Sequence, residues 1–212
     1  MAGRALAAGV GIALGRKYPD AKTIEQMAVP AVPWGDFVAV DAALDTGKMD
    51  LAKLIAGRWG ARGSVPTYAL RLSRLYRYQG KAEEAEKASE DAMVAGGVTP
   101  RVLVERFDAL LGVKNVQGAR DLVAQYPIVL GPMTEFLKVS LDVADNKAAR
   151  AKSAVARLDP PPEGSPLLFD LLAARAFVAA GDSRAKPLVM RLLRTPKNPD
   201  VLEQARAVGL AR

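Results

Sequence analysis

Three arginines spaced by three, Arg71, Arg74 and Arg77, stand in the stretch "LRLSRLYRYQG" and share roughly one face of a helix. They belong to a longer basic run. Between Leu51 and Ala82 there are seven Lys or Arg (Lys53, Arg58, Arg62, Arg71, Arg74, Arg77, Lys81) and no acid, and Glu83, Glu84, Glu86, Glu90 and Asp91 follow at once. Guanidinium groups aligned in this way can grip a carboxylate through two bonds, the chemistry of binding an acidic segment or a chain terminus. The other reading is internal: the arginines pair with the next helix's glutamates or face solvent, where an ion pair contributes at most about 1 kcal/mol. The glutamates suggest no acid–base site, because acids suit a first helical turn for the dipole alone. A second basic segment, "RAKPLVMRLLRTPK", carries Arg184, Lys186, Arg191, Arg194 and Lys197 and has the same two readings.

Composition removes several other chemistries and leaves only those resting on carboxylates, Lys, Ser or Tyr. The 212 residues include no histidine and no cysteine, which removes His-based triads, cysteine nucleophiles, zinc sites and disulfides together. The expectation is a non-enzymatic protein without cofactor or metal. "DVADN" at 142–146 lacks the Gly and Glu of a calcium loop. "GVGIALG" at 9–15 has nearly the glycine spacing of a dinucleotide turn. But "MAGRALAA" before it is helix-forming, and nothing downstream alternates strand with helix. The net charge of +7 is spread over both halves, and the acids are interleaved with no series of stacking aromatics. Nucleic acid is therefore the weakest partner class. No run of 18 apolar residues spans a membrane; a cytoplasmic location is favoured, with a periplasmic or membrane-associated one as the alternative.

The elements that must position these residues repeat. "DAALDTGKMDLAKLIA", "RYQGKAEEAEKASEDAM", "ALLGVKNVQGARDLV", "DVADNKAARAKSAV" and "AFVAAGDSRAKPLVM" share one plan: an apolar-periodic helix, a Gly or Asn turn, and a second helix with an alanine inside it. The alanines fall at Ala52, Ala85, Ala119, Ala151 and Ala185, in steps of 33, 34, 32 and 34. Prolines cluster at the boundaries, near 30–33, 66, 100, 127–132, 160–166 and 196–199. There a missing N–H does little harm. Helix pairs are expected at 34–46 with 49–58, 66–79 with 82–95, 100–112 with 115–125, 132–144 with 147–157, and 166–180 with 184–194. A terminal helix is expected at 199–210, and "LDPPPEGSP" reads as a loop inside one continuous domain over 1–212.

A two-helix period near 34 resembles the tetratricopeptide repeat family, most sharply at residues 66–95 through Leu72, Tyr76, Gly80, Ala85 and Ala92. The resemblance implies an all-α, right-handed solenoid whose first helices line a concave groove for a peptide or helix of a partner protein. Carried over from the turn, the inward positions are Thr67, Leu70, Arg71, Arg74, Arg77 and Tyr78 in the best-matched copy. The others are Trp34, Phe37, Asp41 and Leu44; Arg101, Val104, Glu105 and Asp108; Met133, Phe136 and Ser140; and Leu168, Leu171, Leu172 and Arg175. Partner-binding candidates are Arg71, Arg74, Arg77, Tyr78, Trp34, Phe37, Arg101, Phe136 and Arg175. Trp34 and Trp59 bracket one unit as core or stacking residues, with Trp34 as an exposed anchor at the groove mouth the alternative. The Lys and Asn set of the family's chaperone-tail clamp is absent.

The function so implied is a protein–protein interaction scaffold in a larger bacterial assembly for secretion, motility, envelope construction or regulation. A self-assembly module is the first alternative, and an anionic-polymer or nucleic-acid binder the second. Residues 9–21 read as the end of a first helix in a further unit at about 5–29, since Ala21 lies 31 residues before Ala52. A signal or anchor segment is the competing reading. A start in mid-repeat would also suit a piece of a longer array.

Overall fold

The computed structural model describes residues 20–27, 33–60, 65–194 and 198–211. Residues 1–19, with the whole of the glycine-spaced stretch at 9–15, lie outside the described residues. Thirteen helices and no strand are found among the described residues. They are α1 (Ala21–Met27), α2 (Pro33–Asp45), α3 (Met49–Ala56), α4 (Pro66–Tyr78), α5 (Ala82–Gly96), α6 (Pro100–Gly112), α7 (Val116–Gln125), α8 (Pro127–Leu130), α9 (Met133–Ala144), α10 (Ala148–Val155), α11 (Leu167–Ala179), α12 (Ala185–Leu192) and α13 (Pro199–Ala207). The class is all-α, and the helices pack in adjacent pairs: α2 with α3, α4 with α5, α6 with α7, α9 with α10, and α11 with α12.

Both helix ends of each pair follow from local chemistry. A proline opens each first helix, as its first residue (Pro33, Pro66, Pro100, Pro199) or just before it (Pro132, Pro166). Its fixed φ suits a helix start, and its missing N–H has no intrahelical partner there. Each first helix then ends in a left-handed residue: Gly47, Gly80, Lys114, Asn146 or Gly181. In every case the N–H of the next residue reaches back five positions (Lys48 to Ala43, Lys81 to Tyr76, Asn115 to Leu110, Lys147 to Asp142, Asp182 to Phe177), at 2.7–2.9 Å. The left-handed residue's own N–H reaches back three. These are Schellman closures, which satisfy carbonyls a helix end would leave bare. The closure turns the chain into the second helix, and its alanine (Ala52, Ala85, Ala119, Ala151 or Ala185) is buried every time. A side chain no larger than a methyl lets the two helices approach closely.

The chain forms two compact units. One holds residues up to Gly97 together with 195–198, the other Val98–Arg194 and Pro199–Arg212. In the first, Val40, Leu44, Ile55, Trp59, Tyr68 and Leu75 make the core, with the Trp59 and Tyr68 rings edge-to-face at 4.6 Å. Trp59 is thus a core residue; the side chain of Trp34 lies outside the described residues. In the second unit α11 is apolar almost all round and touches α9, α10, α12 and α13, as a helix buried on every side should. Residues 158–166 are the expected loop. The short α8 was not expected: Pro127 starts it, buried Leu130 anchors it, and Gly131 at φ +52° stops it. Pro187 sits in the first turn of α12, which starts at Ala185.

Candidate functional site

The first-helix faces carry the charges singled out in the sequence, and in each unit those charges are engaged. In the first unit α2 and α4 lie side by side. Arg71 of α4 donates from Nη2 to Asp41 Oδ2 of α2 at 2.6 Å, from Nε to the Phe37 carbonyl at 3.3 Å, and from Nη1 to the Thr67 carbonyl at 2.8 Å. Its guanidinium also covers the Phe37 ring at 4.7 Å. Arg74, one turn on, pairs with Asp45 and donates from Nε to the Tyr78 hydroxyl at 3.1 Å. Arg77 lies over the Tyr78 ring at 4.8 Å. Phe37 is half-buried, packed edge-on to Tyr68 at 4.6 Å. Thr67 stands exposed at the start of the same face.

In the second unit the corresponding arginine is Arg175 of α11. Its Nη1 donates to both oxygens of Asp108 on α6, at 2.8 and 2.9 Å, and its Nη2 lies 3.1 Å from Asp200 Oδ1 on α13. Phe136 is 3% exposed, in edge-on contact with Phe169 and Phe177, and so fills the core. Leu172, Val104 and Leu171 are buried too, while Met133 and Leu168 are half-buried and Arg101 is exposed. The carry-over from the family therefore brings two kinds of residue together, an inner row that packs against the neighbouring helix and an outer row that meets solvent.

Compared with family models, curated proteins and solved structures, the chain finds no match.

The geometry orders the charges by register. Six residues before the left-handed turn residue stand Asp41, Arg74, Asp108, Ser140 and Arg175. Nine before it stand Arg71 in α4 and, counting from Gly209, Asp200 in α13. The pairs Arg71–Asp41 and Arg175–Asp200 thus repeat one relation in different units: position six of one first helix meets position nine of the next. Asp41 and Asp45 are the partners that sequence reasoning missed, since it looked for acids on the following second helix. Opposite charges at one register position, Asp41, Arg74, Asp108 and Arg175, were the available signal.

Two arginines of the second basic segment, Arg184 and Arg191, are anchored as well. Arg184 donates to Asp182 and to the Leu158 and Val155 carbonyls, tying the start of α12 to the end of α10. The Asp182 carboxyl, hydrogen-bonded by the Arg184 side chain and backbone N–H, is held down at about 2. Arg191 pairs with Asp170 at 2.5 Å, but burial outweighs that attraction and pushes the Asp170 carboxyl above its usual range. No cluster of three His, Cys, Asp or Glu able to hold a metal occurs among the described residues, and no helix among them is long and apolar enough to cross a membrane.

Proposed function

We propose that the helix pairs of each unit are tetratricopeptide-like repeats, wound as a right-handed α-solenoid, and that the protein is a non-enzymatic interaction scaffold. The observation that supports this reading best is the fivefold recurrence of one closure: a left-handed residue and then a buried alanine four or five positions on. Five copies of one supersecondary unit resemble an architecture whose stacked first helices form extended binding surfaces. The partner on this reading is a peptide or helix that lies along the outer row of a first-helix face, which is Thr67 and Leu70 in the first unit and Arg101, Met133 and Leu168 in the second. The arginine–aspartate pairs beneath that row hold neighbouring first helices in register.

Thr67→Trp tests it, since the indole would cover the first unit's face while leaving the Asp41 and Asp45 pairs in place. Affinity purification should show a partner retained by wild type and lost by this variant at unchanged thermal stability. An identical partner set for both proteins contradicts the assignment of the face.

A further inference from the structure

The last described helix, α13, ends as the other first helices do. Gly209 is left-handed at φ +73°, its N–H reaches back to the Arg206 carbonyl at 3.1 Å, and the Leu210 N–H reaches the Ala205 carbonyl at 2.8 Å. Its burial differs from theirs. Seven positions before the turn residue, the five earlier first helices place Val40, Ser73, Phe107, Val139 and Ala174, each at most 1% exposed. Ser73 shows what covers that position, since its Oγ donates to the Ala85 carbonyl of the paired second helix at 2.9 Å. The residue six before the turn is buried or half-buried in all five. In α13 the same two positions hold Leu202, which is half-buried, and Glu203, which is exposed.

The uncovered residues make one stripe. Pro199, Leu202, Glu203, Arg206 and Ala207 follow the i, i+3, i+4, i+7, i+8 spacing of a single helix face, and all are half-buried or exposed. Val201, Gln204 and Ala205, on the other side of a helix that touches α11 and α12, are buried. The order of the stripe is its own complement. Glu203 and Arg206 stand equally far from its middle, and so do Leu202 and Ala207. Two copies of α13 packed antiparallel about a two-fold axis at that middle set each Glu203 against the other copy's Arg206. The same axis lays each Leu202 on the other copy's Ala207, whose methyl leaves it room. A parallel arrangement would set like charge against like. Neither Glu203 nor Arg206 forms an ion pair among the described residues. We propose that this stripe of α13 is a two-fold contact between two copies of the chain. The contact rests on α13 alone, whether or not the first-helix faces bind a partner.

A nine-residue helix is about 13 Å long, so the contact belongs to the small, reversible class of interfaces. Sedimentation equilibrium on the full chain should show monomer passing to dimer as concentration rises from about 10 to 500 µM. Added salt should shift the balance toward monomer. Glu203→Arg alone, or Arg206→Glu alone, sets like charges across the axis and should weaken dimerisation roughly tenfold or more. Mixing the two single variants brings opposite charges together again at both places, and the mixture should dimerise as wild type does. A wild-type chain that stays monomeric throughout overturns the proposal. So do single variants that dimerise undiminished, or a mixture of folded variants that stays monomeric. The wild-type series needs no substitution, and circular dichroism of each variant separates a lost dimer from a lost fold.

Discussion

Arg71 and Asp41 retain only 14% and 12% of their side-chain exposure at a separation of 2.6 Å, so each compensates a charge that has lost most of its water. Arg71→Ala strips Asp41 of that compensation and should lower the unfolding free energy by on the order of 3 kcal/mol in urea titration. Arg71→Met combined with Asp41→Leu should recover much of the loss; a double variant as unstable as the single one contradicts the pairing. Asp182 gives a second test at this scale. Its folded carboxyl, at about 2, lies below its ordinary 3.8, so its stabilisation is complete above 3.8 and fades as pH falls to about 2. Solvent screens this partly exposed pair and discounts the shift, so Asp182→Asn should cost about 1 kcal/mol at neutral pH, with the gap to wild type closing in thermal melts taken toward pH 2. Which residues bear charge on the first helices is plain in the sequence. Which pairs they form is not, because the partner lies some 30 positions away and is fixed only when two helices stack.

Helix ends were the most legible feature, because each is set by a residue or two. Gly47, Gly80 and Gly181 announce a left-handed closure. Lys114 and Asn146 adopt the same conformation at φ +60° and +59°, where a side chain is strained. Lys114→Gly should relieve that strain and raise stability by roughly 0.5–1 kcal/mol; a destabilised variant would mean that the lysine side chain has a role beyond the turn. Gly80→Ala tests the converse. A Cβ there meets nothing within 4 Å, so its expected loss of about 1 kcal/mol comes from the backbone alone. The short α8 was illegible, since what holds it is the burial of Leu130 rather than any periodicity. Phe136 shows the same limit at a candidate site: a period places it on a first helix, but only Phe169 and Phe177 closing around it make it core.

At the scale of the whole molecule, two units built from one repeated pair present first-helix faces whose inner charges are neutralised internally and whose outer rows meet solvent. On the reading proposed above such a face would be a frame for contact, with specificity carried by a few exposed side chains. Burial of Arg71, Arg74 and Arg175 in pairs shifts the expected recognition from the arginine heads to that outer row. The reading stands or falls on where a partner touches. A photo-crosslinking phenylalanine analogue placed at Thr67, on the first-helix face, or at Glu84, on the neighbouring second helix, distinguishes the faces once mass spectrometry maps the adducts. The account predicts a partner peptide crosslinked from Thr67 and none from Glu84; adducts from Glu84 alone, or equally from both positions, contradict it.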